Sequence, residues 1–545
     1  MAYGAVGGRS PVRDVPDRAP GTSSELCAAL LRPETYPHHP ATVELSETHI
    51  SWVFLAGDRV YKLKKPLVLD FVDYGTPERR RRMCEEEICL NRRLAPDLYL
   101  GVRGLSLRAG RVELTDPDDP RAVDFVVEMR RYAEAATLAA RLGRGELERD
   151  QINAVADKLV AFHAAARRVS TTDSPELALE RRFERNLHEL LSRAPQRGEV
   201  ERVHRLAWFA HAFITRHAHT FHARARCGFI REGHGDLRAE HVLVNDDVRI
   251  VDCVEFDPDL RELDVSDDLS FLVFDLAARG GERYAELLVR AYREAGGEPG
   301  DDSLIAFYAT YRALVRAKVA LVRASQHPIA SAAHERERAG ARDLIAWAER
   351  FAWRARLPLV IVVCGVPASG KSYLARAIAE TAALPHLSSD VARKQLAGLP
   401  TTQRAPADSY SAEWNARTYT ELGHRTADAV GRVGGAVVDA TFRHQADRVS
   451  YRSAFAAAAP TLFVECQAPR AELARRAARR EGEAGQASDA TPAVVLHELA
   501  AWEPLDEVAA DAHLVLRTDR PLEQILADLL VVLDRRLPGL AHCPQ

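Results

Sequence analysis

The sequence predicts a protein of the α/β and α+β classes with two modules that differ in how their strands and helices alternate. At 545 residues the chain is too long for one hydrophobic core, which favours two or three domains. Strand-like and helix-like segments alternate over residues 357–537, as in a parallel sheet flanked by helices. Residues 43–130 combine strands with a helix, and residues 131–356 are mostly helical in pattern.

Composition and charge argue against several classes of protein. The 74 Lys and Arg residues nearly balance the 78 Asp and Glu residues, so the charge calls for neither a nucleic acid nor a membrane as partner. The eight cysteines include no Cys-x-x-Cys pair, which is typical of reduced thiols in a cytosol. There is no signal-peptide core and no apolar run of the ~18 residues that a membrane span needs. We therefore expect a soluble, cytoplasmic protein whose oligomeric state the sequence leaves open.

Changes in composition divide the chain into five predicted segments. The first is rich in Gly, Pro and Arg and poor in apolar residues, so we expect it to be a disordered tail. The predicted segments are the tail 1–24, a front module 25–345, a linker helix 346–356, a rear module 357–537 and a second tail 538–545.

The front module begins with a predicted β-hairpin. Residues 52–55 and 59–63 have strand composition, and Gly57-Asp58 between them favours a turn. A charged helix is predicted over residues 77–95, and a further strand over residues 124–129.

A glycine-rich loop opens the rear module. Residues 365–372 read Gly-Val-Pro-Ala-Ser-Gly-Lys-Ser, which matches the pattern Gly-x-x-x-x-Gly-Lys-Ser, with a strand-like apolar run before it and a helix-like segment after it. Backbone N–H groups at the start of such a helix bind polyphosphate, so we expect an ATP site, and a plain glycine-rich turn is the alternative. The expected cradle consists of Gly365, Val366, Pro367, Ala368, Ser369, Gly370, Lys371, Ser372 and Tyr373.

The residue types downstream of this loop suit phosphoryl transfer. Lys371 would reach the β- and γ-phosphates and Ser372 would bind Mg²⁺. Asp390 ends a predicted second strand, and Arg393 follows one helical turn later, so both can face the same cleft. Asp439 ends a predicted third strand and is expected near the metal ion. A helix N-cap is the alternative role for Asp390.

This rear module resembles the P-loop kinases related to polynucleotide kinases and zeta-toxin-like kinases. The resemblance implies that Asp390 is the general base for an acceptor hydroxyl and that Arg393 orients the acceptor. It also implies a helical lid with arginines that close over ATP. Arg475 and Arg479 lie four residues apart on one predicted helix face and are the preferred pair. A solvated basic helix is the alternative.

A second set of residues suited to phosphoryl transfer lies in the front module. Residues 233–244 read Gly-His-Gly-Asp-Leu-Arg-Ala-Glu-His-Val-Leu-Val, and Asp252 follows a short apolar strand. Phosphoryl transfer needs one carboxylate that accepts the proton of the acceptor hydroxyl and a second that holds Mg²⁺. Asp236 suits the first role and Asp252 the second, with a pair of capping aspartates as the alternative.

These residues resemble the catalytic core of aminoglycoside-phosphotransferase-like kinases, whose loop reads His-Gly-Asp-x-x-x-x-Asn. The resemblance implies a bilobal, protein-kinase-like fold for the front module, with Asp268 bracing the catalytic loop. His241 stands where the family has a metal-binding Asn. An imidazole is a softer ligand than Mg²⁺ prefers, so Mn²⁺ use, slow turnover and loss of activity all stay open at this site.

Such a kinase needs a lysine that binds the phosphates of ATP. Only seven lysines occur in the chain, and Lys62 and Lys64 fall on the same face of a predicted strand. Lys62 is preferred, because the residue two positions before it, Val60, is apolar and can cover the adenine. A lysine kept in a chain that otherwise uses arginine favours a position that needs a compact ammonium instead of a guanidinium.

The lysine also needs a glutamate partner on the following helix. Glu85, Glu86 and Glu87 are the candidates, and Glu87 is preferred because leucines follow it at the third and seventh positions, as in the family's helix. The remaining charges on this helix are expected to pair with one another at the surface.

Taken together, these patterns predict a two-module phosphotransferase that moves the γ-phosphoryl group of ATP to hydroxyl groups of small molecules. The chain is similar to fusions of an aminoglycoside-phosphotransferase-like domain with an AAA or zeta-toxin-like ATP-binding domain. The acceptors stay open. So do two alternatives, a regulatory protein with a degenerate kinase domain and a nucleic-acid 5′-hydroxyl kinase, which the near-neutral charge disfavours.

Overall fold

The structure is a computed structural model that describes most of the chain. The described residues are 13–14, 23–48, 50–69, 72–108, 111–170, 174–193, 197–329, 331–400, 403, 406–455, 459–481 and 492–540. The predicted tail 1–24 lies outside them except at residues 13–14 and 23–24, and the predicted tail 538–545 lies outside them after residue 540.

An antiparallel sheet and one long helix form the first part of the described chain. Its elements are β1 (Arg13–Asp14), α1 (Ser23–Leu30), β2 (Val43–Glu47), β3 (Ser51–Ala56), β4 (Arg59–Lys64), β5 (Leu67–Leu69), β6 (Val72–Asp73), α2 (Pro77–Asn91), β7 (Tyr99–Arg108), β8 (Arg111–Thr115) and β9 (Ala122–Arg130). Six strands pair in the order β2-β3-β4-β9-β7-β8, and β1, β5 and β6 form a smaller sheet. The predicted hairpin is confirmed, since β3 and β4 pair antiparallel around Gly57-Asp58.

Helix α2 is held firmly against this sheet. The Thr76 hydroxyl caps its start by accepting the Arg79 N–H at 3.3 Å. The buried Arg80 guanidinium binds the Asp124 carboxylate of β9 at 2.9 Å through both Nε and Nη2. Breaking such a buried pair costs about 3–5 kcal/mol, so α2 has a fixed position and register on the sheet.

Helices and short strands make up the middle of the chain. They are α3 (Leu138–Arg144), α4 (Arg149–Ala165), α5 (Pro175–Arg193), α6 (Arg197–Arg216), α7 (Ala218–Arg226), β10 (Ile230–Glu232), β11 (Val242–Val244), β12 (Val248–Ile250), α8 (Pro258–Arg261), β13 (Glu262–Asp264), α9 (Val265–Ala278), α10 (Glu282–Glu294), α11 (Asp302–Gln326) and α12 (Ala332–Arg354). Strand β10 pairs with β13 and β11 with β12, both antiparallel, and these two pairs of strands frame residues 233–241 and 251–261.

A parallel sheet flanked by helices forms the last part. Its elements are β14 (Leu359–Cys364), α13 (Lys371–Ala382), β15 (His386–Ser388), α14 (Ser389–Leu396), α15 (Ala412–Val433), β16 (Gly435–Asp439), α16 (Gln445–Phe455), β17 (Thr461–Gln467), α17 (Arg470–Glu481), α18 (Pro492–Ala500), β18 (His513–Arg517) and α19 (Leu522–Asp534). The five strands pair in the order β15-β16-β14-β17-β18, all parallel. Every residue of the central strand β14 is buried, as expected for a strand covered on both faces.

The parallel sheet brings three strand ends together. Asp439 at the end of β16 is level with Val363 of β14 on one side and with Ser388 of β15 on the other. The loop after β14, the start of α14 after β15 and Asp439 therefore meet at one edge of the sheet. In open α/β sheets this carboxyl edge is where ligands bind.

The loop that follows Asp439 is held by a buried arginine. The Arg448 guanidinium is fully buried and donates hydrogen bonds to the carbonyl oxygens of Phe442 at 2.9 Å and Pro504 at 2.8 Å. It also pairs with the Glu507 carboxylate at 3.0 Å. The chain around Asp439 is thus tied to the segment that precedes β18.

Contacts divide the described residues into two compact units. The first comprises the residues up to 173 together with 222–300, and the second comprises 174–221 together with the residues from 301 onward. Within the second unit α12 is one continuous helix, and Arg356 just after it binds Asp534 of α19 at 2.8 Å. The predicted ranges 25–345, 346–356 and 357–537 stay predictions about which parts of the chain are independent modules.

The two sheets confirm the predicted fold class. The first unit is α+β, with an antiparallel sheet and helices, and the second contains an α/β parallel sheet flanked by helices. Among the described helices, none combines the length and the apolar character needed to cross a bilayer.

Candidate active sites

Lysine, glutamate and aspartate side chains meet at the predicted nucleotide position of the first unit, which we call the front site. Lys62 Nζ lies 3.0 Å from Glu87 Oε1 and 2.6 Å from Asp252 Oδ1. Because strand residues two apart share a face, Lys64 lies beside Lys62, but its side chain is only 1% exposed. Asp252, by contrast, is half exposed. Of the two candidate lysines, Lys62 is therefore the one that reaches the accessible carboxylate.

The charges of this group are strongly coupled. The Lys62 ammonium is the main cause that holds the pKa of Asp252 well below its usual range. Burial alone would lower the pKa of Lys62, but Asp252 and Glu87 outweigh it and raise that pKa well above the ordinary value. Asp252 is therefore an anion and Lys62 a cation across the physiological pH range.

The backbone at Asp252 is strained. Its φ angle is +65°, which an L-residue seldom adopts, and its N–H donates to Tyr99 Oη at 3.2 Å. Strained residues of this kind persist only where the surrounding structure fixes them, and they cluster at functional sites.

A buried aspartate braces the loop that carries Asp236. Asp268 accepts the N–H groups of His234 at 2.7 Å and Gly235 at 3.0 Å. Burial alone would raise the pKa of Asp268, but its hydrogen bond with His163 and the charge nearby outweigh burial and hold the pKa below the usual range. The contact is the one that the sequence predicted for Asp268.

His234 joins the same loop to the strand that leads to Asp252. Its Nε2–H donates to the Val251 carbonyl at 2.9 Å, and its Nδ1 accepts the Asp236 N–H at 3.2 Å. Burial lowers the pKa of His234 to about 4, so the ring is neutral and can play both roles. Asp236 and Asp252 are therefore held in a fixed relation through one imidazole.

Arg238 is a residue of the front site that the sequence analysis missed. Its Nε lies 3.0 Å from Asp236 Oδ1 and its Nη2 lies 2.9 Å from Asp236 Oδ2. It also pairs with Glu240. The signal was present, since Arg238 is two residues after the predicted base, but arginine is this chain's default basic residue.

His241 lies where the resemblance places a metal ligand. Its Nδ1–H donates to the Asp236 carbonyl at 2.9 Å, its Nε2 accepts a hydrogen bond from Arg238 Nη2 at 2.9 Å, and that Nε2 lies 3.8 Å from Asp252 Oδ2. Burial lowers its pKa, which keeps the ring neutral. A neutral Nε2 beside a carboxylate suits a divalent cation, once Arg238 releases it.

The glycine-rich loop of the second unit, with the side chains around it, forms the rear site. Gly365 and Gly370 have φ angles of +141° and +90°, which other residues rarely adopt. A Cβ on Gly365 would lie 2.7 Å from the Cys466 carbonyl oxygen. Ala368 also has a positive φ of +65°, and Ser369 Oγ is buried without a hydrogen-bond partner among the described residues. Such a bent loop at a helix start is an anion-binding cradle.

Two carboxylates flank this cradle. Asp439 Oδ1 is buried and has no hydrogen-bond partner in the described part of the chain. Burial raises the pKa of Asp390 above the ordinary Asp value; nearby Lys371 opposes the rise and Asp439 adds to it. Lys371 and Ser372 are the first two residues of α13. The sheet edge thus brings these four predicted side chains together.

Arg393 is anchored to the first turn of α15 and to the residues just before it. It is buried, its Nη1 donates to the Ser409 carbonyl at 2.6 Å and to Asn415 Oδ1 at 2.9 Å, and its guanidinium lies 4.7 Å from the centre of the Tyr410 ring. Its Nε is buried with no hydrogen-bond partner among the described residues. The sequence analysis missed Asn415 and Tyr410, because nothing in a local pattern pairs them with residue 393.

The arginine of α17 that contacts the glycine-rich loop is Arg476. Its Nη2 donates to the Thr518 carbonyl at 2.8 Å, and the Thr518 hydroxyl donates to the Ser369 carbonyl at 2.5 Å. Arg475, which was preferred from the sequence, is 65% exposed and pairs with Glu472 at 2.7 Å. On α17 it is therefore Arg476, and not the neighbouring Arg475, that contacts the loop. The role of Arg475 in closing over ATP stays a prediction.

Arg479 lies on the exposed side of the same helix. Its predicted role in closing over ATP stays a prediction. A cavity of about 570 Å³ adjoins Arg476 and is also lined by Pro469, Glu472, Asp519 and Arg520.

Known proteins match residues of both units of this chain. The sequence model of a family described as AAA domain matches residues 360–505. The uncharacterized protein Rv2004c of Mycobacterium tuberculosis (strain H37Rv) is 34% identical to this chain over 478 residues, which covers 85% of this chain and 92% of the relative. At that coverage the match extends over both sheets.

Two solved structures are similar to parts of this chain. A choline/ethanolamine kinase family protein from Mesorhizobium loti is 16% identical and covers 61% of this chain and 99% of its own, with a TM-score of 0.35. A gluconokinase from Sinorhizobium meliloti is 24% identical and covers 33% of this chain and 95% of its own, with a TM-score of 0.25.

Proposed function

This chain belongs to the same family as the mycobacterial protein Rv2004c, and we propose that it is an ATP-dependent phosphotransferase with two nucleotide sites. Each site would transfer the γ-phosphoryl group of ATP to a hydroxyl group of a small molecule. The observation that carries the proposal is the pairing, in each unit, of a lysine with two carboxylates of different character. In the rear site Asp390, whose pKa is raised, lies near both Lys371 and Asp439, and Asp439 Oδ1 has no hydrogen-bond partner among the described residues.

In the rear site the proposed reaction uses three groups. Lys371 and the N–H groups of the cradle neutralise phosphate charge. Asp390 accepts the proton of the acceptor hydroxyl as its oxygen bonds to the γ-phosphorus and the bond to ADP breaks. Arg393, held by Ser409 and Asn415, would orient the acceptor beside Asp390. A raised pKa suits a base, because it strengthens the proton affinity of the carboxylate.

The side chains of both sites suit a divalent cation. In the rear site Ser372 and the unpartnered Asp439 Oδ1 would hold Mg²⁺, whose preferred ligands are oxygens. In the front site Asp252 and His241 would hold it, and the imidazole makes Mn²⁺ a second choice there. A bound cation would neutralise charge on the phosphates.

In the front site Lys62, held by Glu87, would bind the phosphates, and Asp236 would accept the acceptor's proton. Arg238 occupies both oxygens of Asp236. Its guanidinium is close enough to Asp252 to help lower the pKa of that carboxylate. We propose that Arg238 turns toward the γ-phosphate when ATP binds, which frees Asp236 for the acceptor. This would make ATP the first substrate to bind.

One observation also favours a second function for the first unit. Arg238 pairs with Asp236 and also donates to His241. While both contacts persist, the proposed base is occupied, so the site could bind a nucleotide without transferring its phosphoryl group. A regulatory role for the front site would follow. A metabolite-pool screen with labelled ATP, run on the full chain and on variants silenced at one site, separates the functions: the phosphotransferase predicts labelled products from both sites, and the regulatory protein from the rear site alone.

The rear site should lose activity at a higher pH than an ordinary aspartate would allow. As a general base Asp390 must be ionised, and burial raises its pKa above the usual ~3.9. As the pH falls, turnover should therefore decline before a freely exposed Asp would titrate. The measurement is kcat/KM from about pH 4 to 8 in a full chain carrying Asp236→Asn, so that only the rear site turns over. An acid limb at the ordinary Asp value would contradict the assignment of Asp390.

A further inference from the structure

We infer that Lys64 and Glu255 are positioning residues of the front nucleotide site, which hold Glu87 and the segment after Asp252 in the geometry that Lys62 needs. The inference rests on the proposed nucleotide site. Neither residue touches the accessible carboxylate of Asp252, so both would act through their partners.

Lys64 is a buried cation with two carboxylate partners. Its Nζ lies 2.8 Å from Glu87 Oε2 and 2.5 Å from Glu255 Oε1. The Tyr74 hydroxyl donates to the same Glu255 oxygen at 3.2 Å, and the ammonium lies 5.2 Å from the Tyr74 ring centre. A fully buried lysine is rare unless it is paired, and here each contact of the ammonium goes to a charged or aromatic group.

The two lysines share Glu87 and thereby form one chain of alternating charge. Lys62 binds one oxygen of Glu87 and Lys64 binds the other, at 3.0 and 2.8 Å. At its ends the chain reaches Asp252 through Lys62 and Glu255 through Lys64. Asp252 and Glu255 are three residues apart in one segment. The series of ion pairs therefore closes into a ring that joins β4, α2 and that segment.

A second set of contacts ties α2 to the same segment. Arg261 Nη2 lies 2.7 Å from Glu86 Oε1, and its Nη1 donates to the Glu255 carbonyl at 3.2 Å. The Asn91 side chain accepts the Cys253 N–H at 2.9 Å. Helix α2 is therefore tied to the segment at two further positions, through Arg261 at Glu86 and directly at Asn91.

Stability alone gives no reason for two buried charges at positions 64 and 255. Replacing a buried ion pair by apolar side chains of similar size is often neutral or stabilising, whereas removing one partner is costly. The pair instead decides what Glu87 can do. With Lys64 on one oxygen, Glu87 offers Lys62 a single contact and leaves the ammonium directed toward Asp252. Without Lys64, both oxygens can draw Lys62 away from the place of the phosphates.

The test uses the full chain with Lys371→Ala, which silences the proposed rear site, so that ATP turnover reports on the front site. Turnover is measured once with Mg²⁺ and once with Mn²⁺. Lys64→Met is compared with the double variant Lys64→Met plus Glu255→Leu, which removes both buried charges. We expect the double variant to unfold near the temperature of the parent. Its KM for ATP should nevertheless rise about tenfold, and kcat should fall, since the loss of one well-placed charged contact has about this effect.

A purely structural role would give another pattern. A smaller folded fraction lowers the apparent kcat and leaves KM for ATP unchanged, because the remaining molecules are normal. Lys65→Met is the matched control, since Lys65 is the next residue and pairs with the exposed Glu47 at 2.7 Å. It should leave both constants unchanged.

Two results would overturn the inference, and they differ from each other. If the double variant binds and turns over ATP with the parent's KM, Lys64 and Glu255 do not position the site. If the Lys371→Ala parent neither binds nor hydrolyses ATP with either cation, the proposed front nucleotide site is itself wrong and the positioning role falls with it.

Discussion

Replacing Lys371 by Ala should abolish phosphoryl transfer at the rear site and leave the front site unchanged. The Lys371 ammonium is the only side-chain cation in the glycine-rich loop itself, and the phosphates would otherwise rely on backbone N–H groups and the metal ion. Removing one preorganised donor from such a site typically costs 10²–10³-fold in turnover. We expect at least a loss of about 100-fold, measured as labelled product formed from γ-labelled ATP by the full chain.

Arg376→Ala is a matched control for this variant. Arg376 is an exposed cation on the same helix, little more than one turn beyond Lys371, and its loss should not affect turnover. The front-site products should persist in both variants, because their formation depends on Lys62 and Asp236. Equal loss of all labelled products in Lys371→Ala would mean that the two sites do not act independently.

Replacing Asp236 by Asn should remove transfer at the front site. The variant keeps the size of the side chain and one hydrogen-bond acceptor, but an amide cannot take the proton of an acceptor hydroxyl. General-base catalysis contributes about 10²–10⁴-fold, so turnover at this site should fall within that range. The measurement is formation of front-site products by the full chain with Lys371→Ala, with and without Asp236→Asn.

Asp97→Asn serves as the control for this prediction. Asp97 pairs with Arg249 at 2.8 Å in an exposed position, where the loss of the pair costs little. Asp236→Asn should not weaken the binding of ATP, because the proposed role of Asp236 is toward the acceptor and its loss frees Arg238 for the γ-phosphate. If front-site turnover is already absent in the parent while ATP still binds, the regulatory function is favoured over catalysis.

Much of the front site was predictable because its residues lie on regular elements with known periodicity. Strand alternation put Lys62 and Lys64 on one face, and the apolar Val60 argued for Lys62. The sequence could not show that Lys64 is buried between Glu87 and Glu255, since residues 64 and 255 meet only through tertiary packing. Arg238 was missed for a different reason, because one arginine among many carries no local signal.

In the rear site the glycine-rich loop was predictable from the sequence, but the orientation of α17 about its own axis was not. The pattern Gly-x-x-x-x-Gly-Lys-Ser with its flanking segments identifies the cradle residue by residue. Helix α17 carries arginines at adjacent positions, so a small rotation decides whether Arg475 or Arg476 meets the loop. Packing of the apolar Leu473 and Ala477 into the core sets that rotation.

The grouping of the helices also lay beyond sequence reasoning. Residues 174–221 pack with residues from 301 onward, although the chain between them belongs to the first unit. Arg202 of α6 binds Glu349 of α12 at 2.7 Å, and Arg338 binds Glu199 at 2.9 Å. Such contacts join segments more than a hundred residues apart, which hydrophobic periodicity within one helix cannot indicate.

The existence of two separate nucleotide sites is tested most directly by calorimetric titration of the full chain with ATP and Mg²⁺, repeated with Mn²⁺. We expect two molecules of ATP per chain, and one per chain for Lys62→Ala and for Lys371→Ala. A stoichiometry of one for the unsubstituted chain, lost in only one of the two variants, would contradict it.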